Sequence, residues 1–136
     1  MIREIVRDPM FLSQKSADAT QADLPISRDL SDTLNAHREG CVGMAANMIG
    51  VKKKIIIVNA GMMDMVMFNP VITAKRDPFE TEEGCLSLTG LRKTVRYRSI
   101  DVEFRDFSWK KQHRTFNGWT AQIIQHEVDH CNGILI

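Results

Sequence analysis

Close to its C-terminal end the chain reads Gln125-His126-Glu127-Val128-Asp129-His130, an H-E-x-x-H. On a helix of about 3.6 residues per turn, His126 and His130 stand one turn apart on the same face. Two imidazoles so placed can hold one metal ion, with Glu127 beside them to manage the protons of a water. Trp119, Ile123, Ile124 and Val128 recur at helical spacing around the motif and predict the helix that it needs. Composition alone would produce the motif about 0.006 times per chain of this length, so it carries weight. A metal site also needs a third protein ligand, and three cysteines compete for that place. Cys85 leads, because Gly84 permits a sharp local turn before it and a hairpin could carry the chain back to His126. One thiolate and two imidazoles suit zinc or ferrous iron and leave a position for water. Cys131 would point about 100° away from His130 around the helix and is poorly placed. Cys41 lies in a glycine-rich stretch far upstream.

The remaining elements must position these residues. At 136 residues the chain is long enough for one domain, residues 1–136, with a core of its own. A net charge of +1 argues for no polyanionic partner, and no direct contact with nucleic acid is expected. No apolar run approaches the roughly 20 residues that cross a bilayer, so no membrane role is expected. An odd cysteine count and a charged N-terminus without an apolar core fit a reducing, cytoplasmic setting. Residues 2–6 read as a short edge strand and residues 10–27 as an irregular surface segment. Asp29 to Glu39 reads as a helix stopped by Gly40, with Ser27 or Asp29 as its cap. Lys54 to Asn59 is a β-branched run and a strand. Residues 65–73 form one strand, or two broken at Pro70, and residues 75–81 a polar loop. Residues 100–104 and 112–116 pair as a hairpin before Asn117-Gly118 introduces the final helix. The fold class is α+β: mainly antiparallel strands packed around a C-terminal H-E-x-x-H helix. Gly40 to Gly50 is rich in small residues, which fits both a tight strand crossing and a loop facing a substrate.

Glu83-Gly84-Cys85-Leu86-Ser87 together with Gln125-His126-Glu127-Val128-Asp129-His130 resembles the peptide deformylase family, whose members carry E-G-C-L-S and Q-H-E-x-D-H. Their first motif, G-Φ-G-Φ-A-A-x-Q, is matched in part by Cys41-Val42-Gly43-Met44-Ala45-Ala46-Asn47-Met48. The resemblance implies that Cys85, His126 and His130 bind one divalent ion, ferrous iron first and zinc or nickel as alternatives. It implies Glu127 as the acid and base, and N-formylated nascent peptides as the substrate. Val42, Gly43, Met44, Gly84 and Arg92 would then lie along the peptide. The family steadies the oxyanion with the backbone N–H after the cysteine, here Leu86, and with the glutamine of the first motif. Met48 stands at that glutamine's position, and a thioether donates no hydrogen bond. The expectation is therefore a deformylase of reduced activity. The alternative is a non-catalytic relative that binds metal or formylated peptides without turnover. Many bacterial members use a C-terminal helix at the ribosome, and a chain ending at Ile136 is not expected to dock by that route.

Overall fold

The computed structural model describes residues 1–85 and 87–135. Five strands form one antiparallel sheet in sequence order: β1 (Gly43–Ala45), β2 (Ile55–Asn59), β3 (Asp64–Cys85), β4 (Leu88–Arg105) and β5 (Lys111–Asn117). Helix α1 (Pro9–Leu12) is a single turn, α2 (Leu24–Ala36) packs against β1 and β2, and α3 (Gly118–Cys131) packs against β1, β2 and β4. The architecture is the α+β arrangement expected, with the H-E-x-x-H helix laid across an antiparallel sheet.

The core lies between the helices and the sheet. Ile55, Ile56, Ile57, Val58, Met67 and Phe68 from β2 and β3 meet Leu30 and Leu34 of α2 and Ile123 and Ile124 of α3. Each such side chain contributes about 1.5–3 kcal/mol by leaving water. Met44, Met48 and Met67 are all buried and fill the core, whereas Met62 and Met63 are exposed.

Several local expectations are corrected. Residues 2–6 carry no regular structure. Arg3 is tied instead to α2, its backbone N–H donating to Thr33 and its guanidinium to Asp29. Helix α2 starts at Leu24 rather than Asp29, because Pro25 lies in the first turn, where a missing N–H costs nothing. Residues 10–27 therefore include α1, with Asp8 accepting from Met10 N–H at 3.0 Å, and the start of α2. The supposed loop at 75–81 is strand: β3 runs unbroken to Cys85 against β4. Most of residues 71–80 are exposed, so no buried face imposes alternation on the sequence. Pro70 sits inside the register shift between Phe68 and Val71, where a ladder bond is already interrupted. Trp119, placed by its spacing on the inner stripe of α3, is 61% exposed.

The end of β5 shows how the sheet is joined to α3. β5 pairs with β4 from Arg105 back to Ser99. At Tyr97 the amide of Gln125 takes over, its Oε1 accepting from Tyr97 N–H and its Nε2 donating to Tyr97 C=O, both at 2.8 Å. A side chain thus replaces one residue of a missing strand and fixes the rotation of α3 on the sheet. Gln125→Leu leaves both Tyr97 groups unpaired at a half-buried seam, and we expect a loss of about 1–3 kcal/mol. Urea unfolding of the two proteins measures it, and an unchanged midpoint would contradict this role for Gln125.

Candidate metal centre

Three elements converge on one point. The tip of β3 carries Glu83, Gly84 and Cys85, and α3 carries His126, Glu127 and His130. β1 supplies Gly43. The thiol of Cys85 and one ring nitrogen from each histidine lie within 4.8 Å of one another. Cys85 Sγ is 3.3 Å from His130 Nε2, which is 3.0 Å from His126 Nε2. Ser87 N–H donates to the Cys85 sulfur at 3.4 Å.

The protonation of the two rings follows from their surroundings. His126 Nδ1 faces Glu83 Oε1 at 2.9 Å. Burial works against charge on His126, but the Cys85 sulfur and the Glu83 carboxylate outweigh it and raise the ring to about 10. Burial, joined by the charge of His126, pushes His130 down to about 3. His126 Nε2–H therefore donates to the lone pair of a neutral His130 Nε2. The donor set is sulfur, nitrogen and nitrogen, all converging, with a proton where a cation would sit. That chemistry fits a divalent ion such as zinc or ferrous iron.

Behind His126 lies a buried polar network. Arg96, only 3% exposed, forks onto Glu83 through Nε and Nη2 at 2.7 to 3.1 Å and reaches Asp129 through Nη1 at 2.6 Å. Gln122 adds a hydrogen bond to Glu83 Oε2 at 2.8 Å. Burial alone would raise the Glu83 carboxyl, but His126, Arg96 and Gln122 hold it near 2. On the other side, Asn47 Nδ2 donates to His130 C=O at 2.9 Å and ties the turn after β1 to α3.

Glu127 is 4% exposed and its Oε1 has no hydrogen-bond partner among the described residues. Burial raises its carboxyl to about 7, against the opposing pull of His126. It faces a cleft of about 390 Å³ whose wall includes Cys41, Val42, Gly43, Met48, Cys85 and Trp119. Gly43 is required there, because a Cβ would lie 2.7 Å from Ile123 Cγ2 and 3.0 Å from Glu127 Oε2.

Of the residues singled out from sequence, the structure brings together Cys85, His126, His130, Glu127, Gly43, Val42, Gly84 and Met48 around this cleft and the cluster beside it. Met44 is fully buried, so only its backbone is available to a ligand. Arg92 stands opposite Glu83 in the β3–β4 ladder, half-buried and outside the described cleft wall. Leu86 lies outside the described residues. Cys131 is buried away from the cluster, its thiol pushed up to about 12. Sequence reasoning gave no role to Glu83, Arg96, Gln122, Gln125 or Asn47. The available signals were Glu83 two residues before Cys85 and Gln125 directly before His126, both inside the quoted motifs, whereas Arg96 looks like any other member of a basic run.

The model of the polypeptide deformylase family matches residues 2–136. The chain belongs to the peptide deformylase family. It is 55% identical over 136 residues to the peptide deformylase of Clostridium beijerinckii, with all of both chains covered. The peptide deformylase of Cytophaga hutchinsonii is 34% identical, over 94% of this chain and 75% of that one. The class I type b peptide deformylase of Acinetobacter baumannii, solved with Met-Ala-Ser bound, superposes with a TM-score of 0.87 at 28% identity. That match covers 99% of this chain and 97% of the other. The Legionella pneumophila peptide deformylase superposes at 0.89 with 31% identity, covering 99% and 83%. Peptide deformylases are metallohydrolases, and the sulfur–nitrogen–nitrogen cluster agrees with a divalent metal in this one. No helix among the described residues is long and apolar enough to cross a membrane.

The Glu83–His126 pair makes stability depend on pH in a defined sense. Glu83 is depressed from 4.5 to about 2, so its contribution is complete above 4.5 and is lost as pH falls towards 2. His126 is raised from 6.5 to about 10, so its contribution is complete below 6.5 and is lost as pH rises towards 10. In chelator-treated protein the gap in unfolding midpoint between the unchanged chain and Glu83→Gln should be widest between pH 4.5 and 6.5 and close towards pH 2. A gap independent of pH would contradict this coupling.

Proposed function

We propose that the 136 residues work as one domain that removes the formyl group from N-formylated peptides, with Cys85, His126 and His130 as metal ligands and Glu127 as acid and base. The observation that carries this reading is Glu127, a buried carboxylate with an unpartnered oxygen in the same cleft as Cys85 and His126. The ion is ferrous iron on the family's likeness, a choice that the donor set supports equally for zinc. A bound divalent ion supplies Lewis acidity at the formyl carbonyl and makes water easier to deprotonate.

The chain's own residues do the rest. Glu127 Oε1 takes a proton from the attacking water and returns it to the departing amine nitrogen. A carboxyl raised to about 7 suits both directions at neutral pH. Glu83, clamped by Arg96 and Gln122, orients the His126 ring through Nδ1. Gly43 lets the β1 backbone lie close to Glu127 and Ile123. Among the described residues β1 pairs only with β2, so an extended peptide can pair along its outer edge at Val42 and Gly43, with Gly84 also on the cleft wall. The Met-Ala-Ser bound to the A. baumannii relative supports such a ligand. Cytoplasmic nascent chains are the proposed source of substrate, with the ribosome as the partner that presents them.

Met48 limits the rate in this proposal. Its side chain is 1% exposed at the cleft wall, with Sδ accepting from Ala45 N–H at 3.4 Å, and it offers an oxyanion no donor. Formate release from formyl-Met-Ala-Ser, with protein loaded anaerobically with ferrous iron, tests both roles. Glu127→Gln should lower kcat by about 10²- to 10⁴-fold, and Met48→Gln should raise it by up to about 10²-fold. Full activity in Glu127→Gln would overturn the proposal for Glu127. An unmoved or lowered rate in Met48→Gln would show that position 48 is not limiting.

A further inference from the structure

The outer edge of β1 holds an arrangement that the proposed chemistry does not use. Asn59 N–H donates to Val42 C=O at 2.8 Å, so the Val42 carbonyl faces β2. Successive peptide units of a strand point in opposite directions, which turns the Gly43 carbonyl away from β2 to the open edge. There it already has a donor: Cys41 Sγ lies 2.9 Å from Gly43 O. Cys41, Val42 and Gly43 all line the cleft whose wall also includes Glu127. A Cβ on Gly43 would lie 3.0 Å from Glu127 Oε2, so this edge borders the reacting group.

We propose that Cys41 is a specificity-determining residue: its thiol donates to the outward carbonyl of Gly43 and competes there with the backbone N–H of a bound peptide. The inference rests on the reading above that a peptide pairs along β1. Burial pushes the Cys41 thiol up to about 11, so at neutral pH it keeps the proton it donates. A thiol is a weaker donor than a peptide N–H, so it is a latch that a peptide can open. Tethered two residues away, it is always at hand when the cleft is empty. It favours ligands that bring a well-aligned N–H to Gly43 over ligands that do not. A stronger donor at position 41 would hold the carbonyl against the peptide, and a side chain without a donor would free it.

The test compares the unchanged chain with Cys41→Ala and Cys41→Ser, all loaded with ferrous iron. KM and kcat are measured with formyl-Met-Ala-Ser, and the Kd of unformylated Met-Ala-Ser by calorimetry. Cys41→Ala should lower KM and Kd by about threefold to tenfold, and Cys41→Ser should raise both by a similar factor. In both variants kcat should stay within about twofold of the unchanged chain. Parallel shifts in the two variants would mean that side-chain volume matters and the donor does not, and would overturn the proposal. So would a fall in kcat without movement of KM. Normal formate release with unmoved KM and Kd overturns the role of Cys41 alone. Absence of both formate release and peptide binding in every protein overturns it together with the proposed function.

Discussion

One buried ion pair joins the parts of this molecule that meet at the cleft. The Glu83 carboxylate, near the tip of a long hairpin, accepts from Arg96 on the neighbouring strand and from Gln122 and His126 on the last helix. Arg96 in turn reaches Asp129 on that helix. Two desolvated charges are costly unless every hydrogen-bonding position is used. Here the fork of the guanidinium and the two extra donors from His126 and Gln122 meet both oxygens of Glu83. The hairpin tip, and Cys85 with it, is thereby held against the helix. The same carboxylate orients the His126 ring, so folding and ligand geometry depend on one group.

The other requirement is close approach. Glu127 needs to be dry for its carboxyl to rise to about 7, and it needs an open side where a substrate can reach it. Gly43 meets both conditions, because β1 covers Glu127 where any side chain would strike Ile123 or Glu127 itself. Gln125 and Asn47 complete the placement from either side, one bonded to the backbone of Tyr97 and the other to the backbone carbonyl of His130. Neither touches the reacting groups, and both fix the helix that carries them.

Much of this was legible in the sequence where a local pattern reflects a local cause. The His126–His130 spacing, the β-branched run of β2 and the hairpin at 100–116 each follow from periodicity, and Cys85 followed from thiolate chemistry. The misses have physical reasons. Residues 75–81 lie in a strand with little burial, so no alternation marks them. Residues 24–27 read as irregular because a proline such as Pro25 in a first helical turn and one in a loop are alike in sequence. Trp119 matched the inner stripe by spacing but lies at the cleft, where burial no longer dictates side-chain type. The pairing of Glu83 with Arg96 could not be read from the sequence, since the two are neighbours only across the hairpin.

The central claim is that Cys85, and neither of the other cysteines, joins His126 and His130 around one ion. Cobalt(II) substitution measures this directly, because a coordinated thiolate adds a sulfur-to-cobalt charge-transfer band in the near ultraviolet. The account predicts one equivalent of cobalt with that band in the unchanged chain and in Cys41→Ser and Cys131→Ser, and loss of the band in Cys85→Ser. A band that survives in Cys85→Ser, or disappears in either of the other two, would contradict it.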